Sequence, residues 1–319
     1  MHKIFPAFTY YLDHKPHVIS AAKVIIQLDS LHRLCIHHPY DMLVLDEAHS
    51  TALHSASTLM KSSGAVIATL RDLLISSKQV IMLDASMDNF PAYHFVQWVE
   101  RARGVPATWV RNRFVRDPER TATLHTCTSN NPRVQSRFLD SAFNYPLEAF
   151  KAGHRVFVPS SSKTVAMAVH KLLAEAAEGT GRKVLLITGD TDELERNILA
   201  ERFEETLQEY DAFVCSPAIT AGCSFEVPGH FTRTVPIMVN TGYRGPTVDS
   251  SQQQWARVRS LTSVGPTGEI VHGSMSIFVL DPECVAASAG PTDPEGIAKY
   301  LEVRQGDGRI PIESFCWRL

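Results

Sequence analysis

No glycine precedes Asp46 in this 319-residue chain. The first 45 residues therefore hold no loop of the GxxxxGKS/T kind, in which backbone N–H groups cradle phosphate and a lysine neutralises it. "TGRK" (180–183) lies in the other half of the chain, with neither the spacing nor the following hydroxyl. Paired cysteines are missing too. Cys35, Cys127, Cys215, Cys223, Cys284 and Cys316 are scattered and form no CxxC pair. That argues against a disulfide scaffold and a zinc site, and for a reducing, intracellular compartment. No apolar run reaches the length of a membrane span, so no membrane partner is expected. The N-terminus, "MHKIFPAFTYYLDHKPH", lacks the basic-then-apolar plan of a secretory signal. Positive charge is not in excess: 31 Lys and Arg stand against 34 Asp and Glu, for a net charge of -3. A nucleic-acid partner would need a local basic groove rather than overall charge.

What is present is an alternation of strand and helix patterns, in a chain long enough for two domains. "KVIIQL" reads as a strand, followed by a helix start at "DSLHRL". "MLVLD" and "QVIMLDAS" are further strands, separated by a helical region over "SASTLMKSSGAVIATLRDLLISS". "PAYHFVQWVERARG" is another helix, closed by Gly104 and Pro106. Residues 116–149 lie in a less regular stretch and read as a connection. A second set begins at 150: strands at "RVFVPSS", "KVLLITGD", "AFVCSPAITAG", "TVPIMVNTG" and "MSIFVLD", with helices at "SKTVAMAVHKLLAEAAE" and "DELERNILAERFEETLQEY". Such alternation implies parallel sheets with crossover helices. The expected organisation is a first domain over 1–115, the connection, a second domain over 150–289 and a peripheral tail over 290–319.

Within "DMLVLDEAHSTALHS" (41–55), Met42, Leu43, Val44 and Leu45 read as a strand buried on both faces. Asp46 and Glu47 then stand at its C-terminal end, the edge where open α/β sheets bind ligands. Paired carboxylates there suit Mg²⁺ on a nucleotide: one holds the ion through water, and the other orients or deprotonates the attacking water. Asp46 and Glu47 are both candidate metal residues. Eight of the 14 histidines fall in the first 54 residues. None makes an HExxH-like pair with a third ligand nearby, so ordinary hydrogen-bonded histidines are the default.

"VLDEAH" resembles motif II of superfamily 2 helicases, and other segments follow in that family's order. "QLDSLHRL" (27–34) resembles motif Ib, in a wording close to the herpesvirus-type replication origin-binding proteins. "LDAS" (83–86) stands in the place of the Ser-Ala-Thr motif. "VFVPSSSKTVA" (156–166), "CSPAITAGCSFE" (215–226) and "QQQWARVRSL" (252–261) resemble motifs IV, V and VI. The resemblance covers about residues 20–280. It implies two RecA-like α/β domains with parallel sheets, ATP and Mg²⁺ as cofactors, and DNA, single-stranded or origin duplex, as partner beside other replication proteins. A nucleus or viral replication site is consistent with it. His49, Ser86 and Gln253 then belong with the nucleotide, Ser86 bonding to His49. Ser30, Ser160, Ser161, Thr188, Thr220 and Gly222 belong on a nucleic-acid track. Ser160 to Ser162 serve equally as caps of the following helix. Arg257 and Arg259 are candidate arginine fingers reaching the γ-phosphate, and which of them does so stays open. Ala256 stands where the family has glycine.

The family's phosphate loop is the piece that does not appear, so the first RecA-like domain is expected to be incomplete. Two functions follow. One is part of an ATP-dependent DNA helicase of the origin-binding type. The other is a helicase-derived module that binds nucleic acid or a replication partner without turning over ATP.

Overall fold

The computed structural model describes residues 5–14, 18–36, 39–55, 60, 62–85, 87, 92–112, 121–218, 223–240, 248–261, 263–264 and 270–282. Two compact units divide the chain, one containing Met1–Asn112 and the other Arg113–Ser288. The tail over 290–319 lies outside the described residues.

In the first unit, β1 (Thr9–Tyr10) pairs in parallel with β2 (Val24–Ile25). A 3-10 helix over Leu28–Arg33 follows, where a helix start is predicted. The strand β3 (Met42–Asp46) runs into helix α1 (Ala48–Ser55). Helix α2 (Ser63–Ser76) leads back to β4 (Gln79–Leu83), which lies parallel to β3 with Val44 opposite Ile81. Helix α3 (Ala92–Arg103) completes the unit. Its core forms where Val66, Leu70 and Leu74, one turn apart on α2, meet Leu43, Leu45, Val80 and Met82 of the strands. The expectation that β3 is buried on both faces is corrected here. Its residues alternate: Leu43 and Leu45 pack inward, while Met42 and Val44 are 50% and 51% exposed. Nothing described covers the second face, so an apolar run suited to two-sided burial is covered on one side only. The helical region over 55–77, expected to be broken or softened near Gly64, contains α2 from Ser63, and a separate helix, α1, starts earlier than expected, directly after Glu47.

The second unit holds one seven-stranded sheet in which every pairing is parallel. Its first strand and helix fall where a connection is predicted: β5 (Thr121–Cys127) and α4 (Pro132–Lys151). Asn131 caps α4 by accepting from the Arg133 N–H, and Pro132 occupies the first turn, where no N–H is needed. Phe138, Ala142, Pro146 and Phe150, four residues apart, form the stripe that packs on the sheet. Pro146 inside that stripe is what hides the helix from pattern reading. The remaining elements are β6 (Val156–Pro159), α5 (Lys163–Ala177), β7 (Val184–Ile187), α6 (Glu193–Glu201), α7 (Phe203–Leu207) and β8 (Ala212–Cys215). After them come β9 (Arg233–Thr234), β10 (Ile237–Val239), α8 (Val248–Trp255), the small antiparallel pair β11 (Ser263–Val264) and β12 (Ile270–Val271), and β13 (Ser274–Leu280).

Across the sheet the order is β7, β8, β6, then β9 and β10 in one lane, then β13 and β5. Pro236 lies between β9 and β10 and has no N–H for the ladder, which accounts for the break. All four residues of β6 and all four of β8 are buried. Phe157 and Phe213 stack between them with centroids 5.3 Å apart, worth about 0.5–1.5 kcal/mol beyond their buried area. Because all strands run parallel, their C-terminal ends share one edge. That edge collects Ser160, Thr188, Ser216, Asn240 and Asp281.

Candidate nucleotide and nucleic-acid site

The acidic end of β3 is a tightly turned structure. Asp46 Oδ1 accepts the Glu47 N–H at 3.2 Å, and Glu47 adopts φ 52°, the left-handed region. A non-glycine residue there costs about 1–2 kcal/mol. Helix α1 begins one residue later, and the adjacent strand holds its N-terminus. Asp84, directly after β4, accepts the His49 N–H on Oδ2 at 2.8 Å. A carboxylate at this point satisfies one of the free first-turn N–H groups and sits at the positive end of the helix dipole. Ser86, expected to bond to His49, lies outside the described residues. Asp84 is the residue from the same segment that the fold brings to His49. The His49 side chain is buried.

The other end of α1 is tied to the 3-10 helix of the "QLDSLHRL" segment. His54 Nε2 lies 2.9 and 3.0 Å from the two carboxylate oxygens of Asp29. Ser30, a track candidate, is Asp29's neighbour and is half-buried. Asp29 belongs to the segment resembling motif Ib, but no sequence signal marks its pairing with His54, 25 residues away. Asp46 is exposed and Glu47 half-buried, so hard carboxylate oxygens stand at one strand end. That donor set fits Mg²⁺, which takes one or two carboxylates and keeps water and phosphate oxygens as its other ligands. Among the described residues no group of three or more His, Cys, Asp or Glu side chains gathers as a metal cage.

In the second unit the serines after β6 turn inward. Ser160 is fully buried; its hydroxyl donates to the Ile237 carbonyl at 2.9 Å and accepts the Ser162 N–H at 3.2 Å. Ser161 Oγ donates to the Val239 carbonyl and accepts the Val239 N–H. Ser162 caps α5 through the Val165 N–H. The Thr188 hydroxyl, also buried, accepts the Asp190 N–H and shapes the turn after β7. These hydroxyls were expected on a nucleic-acid track. The fold gives Ser160 and Thr188 internal roles instead, because buried strand ends leave polar groups that need partners. Lys163, in the first turn of α5, is half-exposed beside this edge and pairs with Asp190. Thr220 and Gly222 lie outside the described residues.

Helix α8 ends at Trp255, so the arginines after it are not on a helix. Val258, buried, bridges in parallel with Phe225, whose N–H donates to the Arg257 carbonyl and whose carbonyl accepts the Arg259 N–H. Both arginines reach the 223–226 segment. Arg257 Nη1 donates to the Cys223 carbonyl at 2.8 Å, and Arg259 Nη1 pairs with Glu226 Oε1 at 3.2 Å. Gln253 is half-buried, whereas its neighbour Gln254 is buried and donates to Cys215 Sγ at 3.6 Å. Burial pushes the Cys215 thiol up to about 12, so it is no nucleophile near neutral pH. The described residues 223–226 of the segment resembling motif V are therefore joined to residues 257–259 of the segment resembling motif VI.

A family model for the origin of replication binding protein matches residues 4–264. The chain belongs to that family. Similar members include the replication origin-binding protein of human herpesvirus 6B (strain Z29), 25% identical over 255 residues, covering 79% of this chain and 30% of that protein. The varicella-zoster virus (strain Dumas) protein is 31% identical over 99 residues, covering 30% of this chain and 11% of that protein. This origin-binding family chain thus spans less than a third of the length of the relatives it matches. Among solved structures, a Saccharomyces cerevisiae Dbp5 variant bound to Gle1 and IP6 aligns with TM-score 0.50 at 15% identity. It covers 91% of this chain and 69% of that one. The helicase MrfA bound to DNA aligns with TM-score 0.50 at 14% identity, covering 95% and 38%. These likenesses establish the RecA-like α/β fold. Among the described residues no helix is long and apolar enough to cross a membrane.

Proposed function

We propose that the chain is the DEAH-to-arginine portion of an ATP-dependent, helicase-type replication origin-binding protein, working on DNA in the nucleus or at a viral replication site. The observation that carries this is the folded form of the DEAH segment: a parallel strand end at Asp46, a left-handed Glu47, and a helix start held by Asp84. In this reading Asp46 holds Mg²⁺ of ATP through water and Glu47 orients the attacking water. Of the two arginines, Arg259 is assigned to the phosphate. Its exposed pairing with Glu226 is worth about 0–1 kcal/mol and is readily exchanged for a phosphate oxygen. Arg257 holds the 223–226 segment in position through the Cys223 carbonyl. In the second unit DNA phosphates meet Lys163, the first turn of α5 and the half-buried Ser161, while Ser30, Thr220 and Gly222 are each kept as candidate phosphate contacts.

The absence of any glycine before Asp46 favours a second reading for the 319 residues alone: nucleic-acid binding without turnover. Mg²⁺-ATP brings negative charge to two carboxylates, and no phosphate cradle opposes it. Labelled single-stranded DNA titrated at about 50 and 200 mM salt tests the DNA role. Binding that weakens steeply with salt, and weakens further in Lys163→Ala, is expected. No measurable binding at the lower salt would replace DNA with a protein partner. ATP hydrolysis by the chain alone is expected at background, and robust hydrolysis lost in Glu47→Gln would overturn the second reading.

A further inference from the structure

The segment that leaves α3 has no part in the site described above, yet it is where positive charge gathers. Residues 101–120 hold six arginines against Asp117 and Glu119, in a chain whose net charge is -3. The described part of this stretch, up to Asn112, doubles back along α3. Gly104 adopts φ 65°, and the Val105 N–H donates to the Glu100 carbonyl at 3.3 Å, a left-handed ending that reverses the chain. Pro106 prevents the helix from resuming. Glu100 Oε1 then accepts the Ala107 N–H at 2.7 Å. Two residues on, Trp109 lies against Tyr93, with ring centroids 5.9 Å apart and planes tilted by 33°. Tyr93 and Glu100 share one side of α3 by helical spacing, opposite the core residues Phe95 and Val99. His94 adds a third ring, edge-on to Tyr93 at 5.8 Å.

A pair of rings that served only to clip the returning chain to the helix would be buried. Tyr93 and Trp109 instead stay 42% and 46% exposed. The course of the segment is already set by Gly104, Pro106 and the Glu100 bonds, so the rings are held in place rather than doing the holding. Arg101, two turns along α3 from Tyr93, and Arg111, two residues after Trp109, are exposed as well. Arg103 is committed elsewhere, to the Leu74 and Ile75 carbonyls. An acidic protein would use the arginines and leave the ring faces idle; an apolar one would do the reverse. A single strand of nucleic acid uses both, since bases stack on aromatic rings while arginines meet phosphates.

We propose that Tyr93 and Trp109 form a base-stacking platform for single-stranded DNA, with Arg101 and Arg111 on the adjoining phosphates. The proposal rests on the DNA-binding role argued above and extends it to residues outside every motif-like segment. It differs in kind from the contacts at Lys163, because stacking reads the bases and a lysine reads only phosphate charge. Rings fixed before the strand arrives lose little freedom on binding.

Two end-labelled strands of equal length, about ten thymidines and a fully abasic counterpart, serve as probes of the full chain. Anisotropy gives affinity, and tryptophan emission reports stacking. The wild type should bind the thymidine strand more tightly than the abasic one, with emission quenched. Trp109→Ala should weaken thymidine binding at least about fivefold, remove most of the quenching and barely change abasic binding. Trp109→Phe, which keeps a ring, should recover most of the affinity. Amide exchange in 42–46 and 79–83 should be the same in all three proteins, because Trp109 lies outside the core cluster. Equal thymidine affinity in the wild type and Trp109→Ala, or an equal loss on both strands, would overturn the platform and leave the DNA role standing. No binding of either strand by the wild type would overturn the DNA role and the platform with it.

Discussion

The two sheets of this molecule are built from similar strands and end in different states. In β6 the run "VFVP" is buried at every position, with α4 and α5 contributing to the core around it. In β3 the run "MLVL" is half-buried at alternate positions, because α2 packs on one side and nothing described lies on the other. The second unit is closed by apolar packing, including the stacked Phe157–Phe213 and His125–Phe278 rings. Around its acidic end the first unit relies more on polar ties between segments, Asp84 to His49 and Asp29 to His54. A continuous apolar run therefore reports the environment a strand is suited to. Whether that environment is supplied depends on which partners are present.

The sharpest way to break this comparison is to place one carboxylate in each sheet. Val158→Asp puts an unpaired charge at the centre of a covered strand and should cost about 4 kcal/mol or more. Val44→Asp, at a half-exposed position of the other run, should cost under about 1 kcal/mol. Hydrogen exchange read strand by strand measures both. Equal losses would mean that the β3 face is covered after all.

A smaller effect is expected at Gly273, ahead of β13. A Cβ there would stand 2.4 Å from the Leu261 carbonyl oxygen and 2.8 Å from that of Thr232, both backbone atoms. Gly273→Ala should destabilise the second unit by about 1–3 kcal/mol, as overpacking does, while leaving exchange in β3 and β4 unchanged. Wild-type stability in chemical denaturation would refute the tight closure of that unit.

The smallest expected effect is a pH dependence. Burial holds His154, His170 and His230 below the usual histidine value of 6.5, with arginine charges adding to the effect at His154 and His230. A depressed folded value means that the unfolded chain takes up protons first as pH falls. The stabilisation from neutral histidine is complete above 6.5 and is lost as pH falls below it, towards the folded values. Exchange in β6 and β8 should therefore speed up as pH falls below 6.5, under conditions corrected for intrinsic rate. A flat profile would show that these histidines are not held neutral by the fold.

Local pattern determined much of this protein. Apolar runs ending in Asp46, Ser160 and Cys215 marked strands, and 3.6-residue periodicity marked α2, α3 and α5. The order of motif-like segments pointed to the family that the matched residues establish. Tertiary structure alone decided the rest. A hydroxyl at a strand end can face a ligand or a neighbouring strand with the same sequence around it. Ser160 bonds to Ile237, 77 residues away, because β10 happens to lie there. Asp84 holds His49 across 35 residues, and Asp29 meets His54 across 25. The arginines engage Cys223 and Glu226 because Val258 pairs with Phe225, a contact that no local periodicity encodes. Helix α4 was missed because Pro146 conflicts with helix rules locally, although its place in the buried stripe satisfies the sheet it packs against. Backbone geometry is set by near neighbours. Which polar group satisfies which is set by the strands and helices that packing brings alongside.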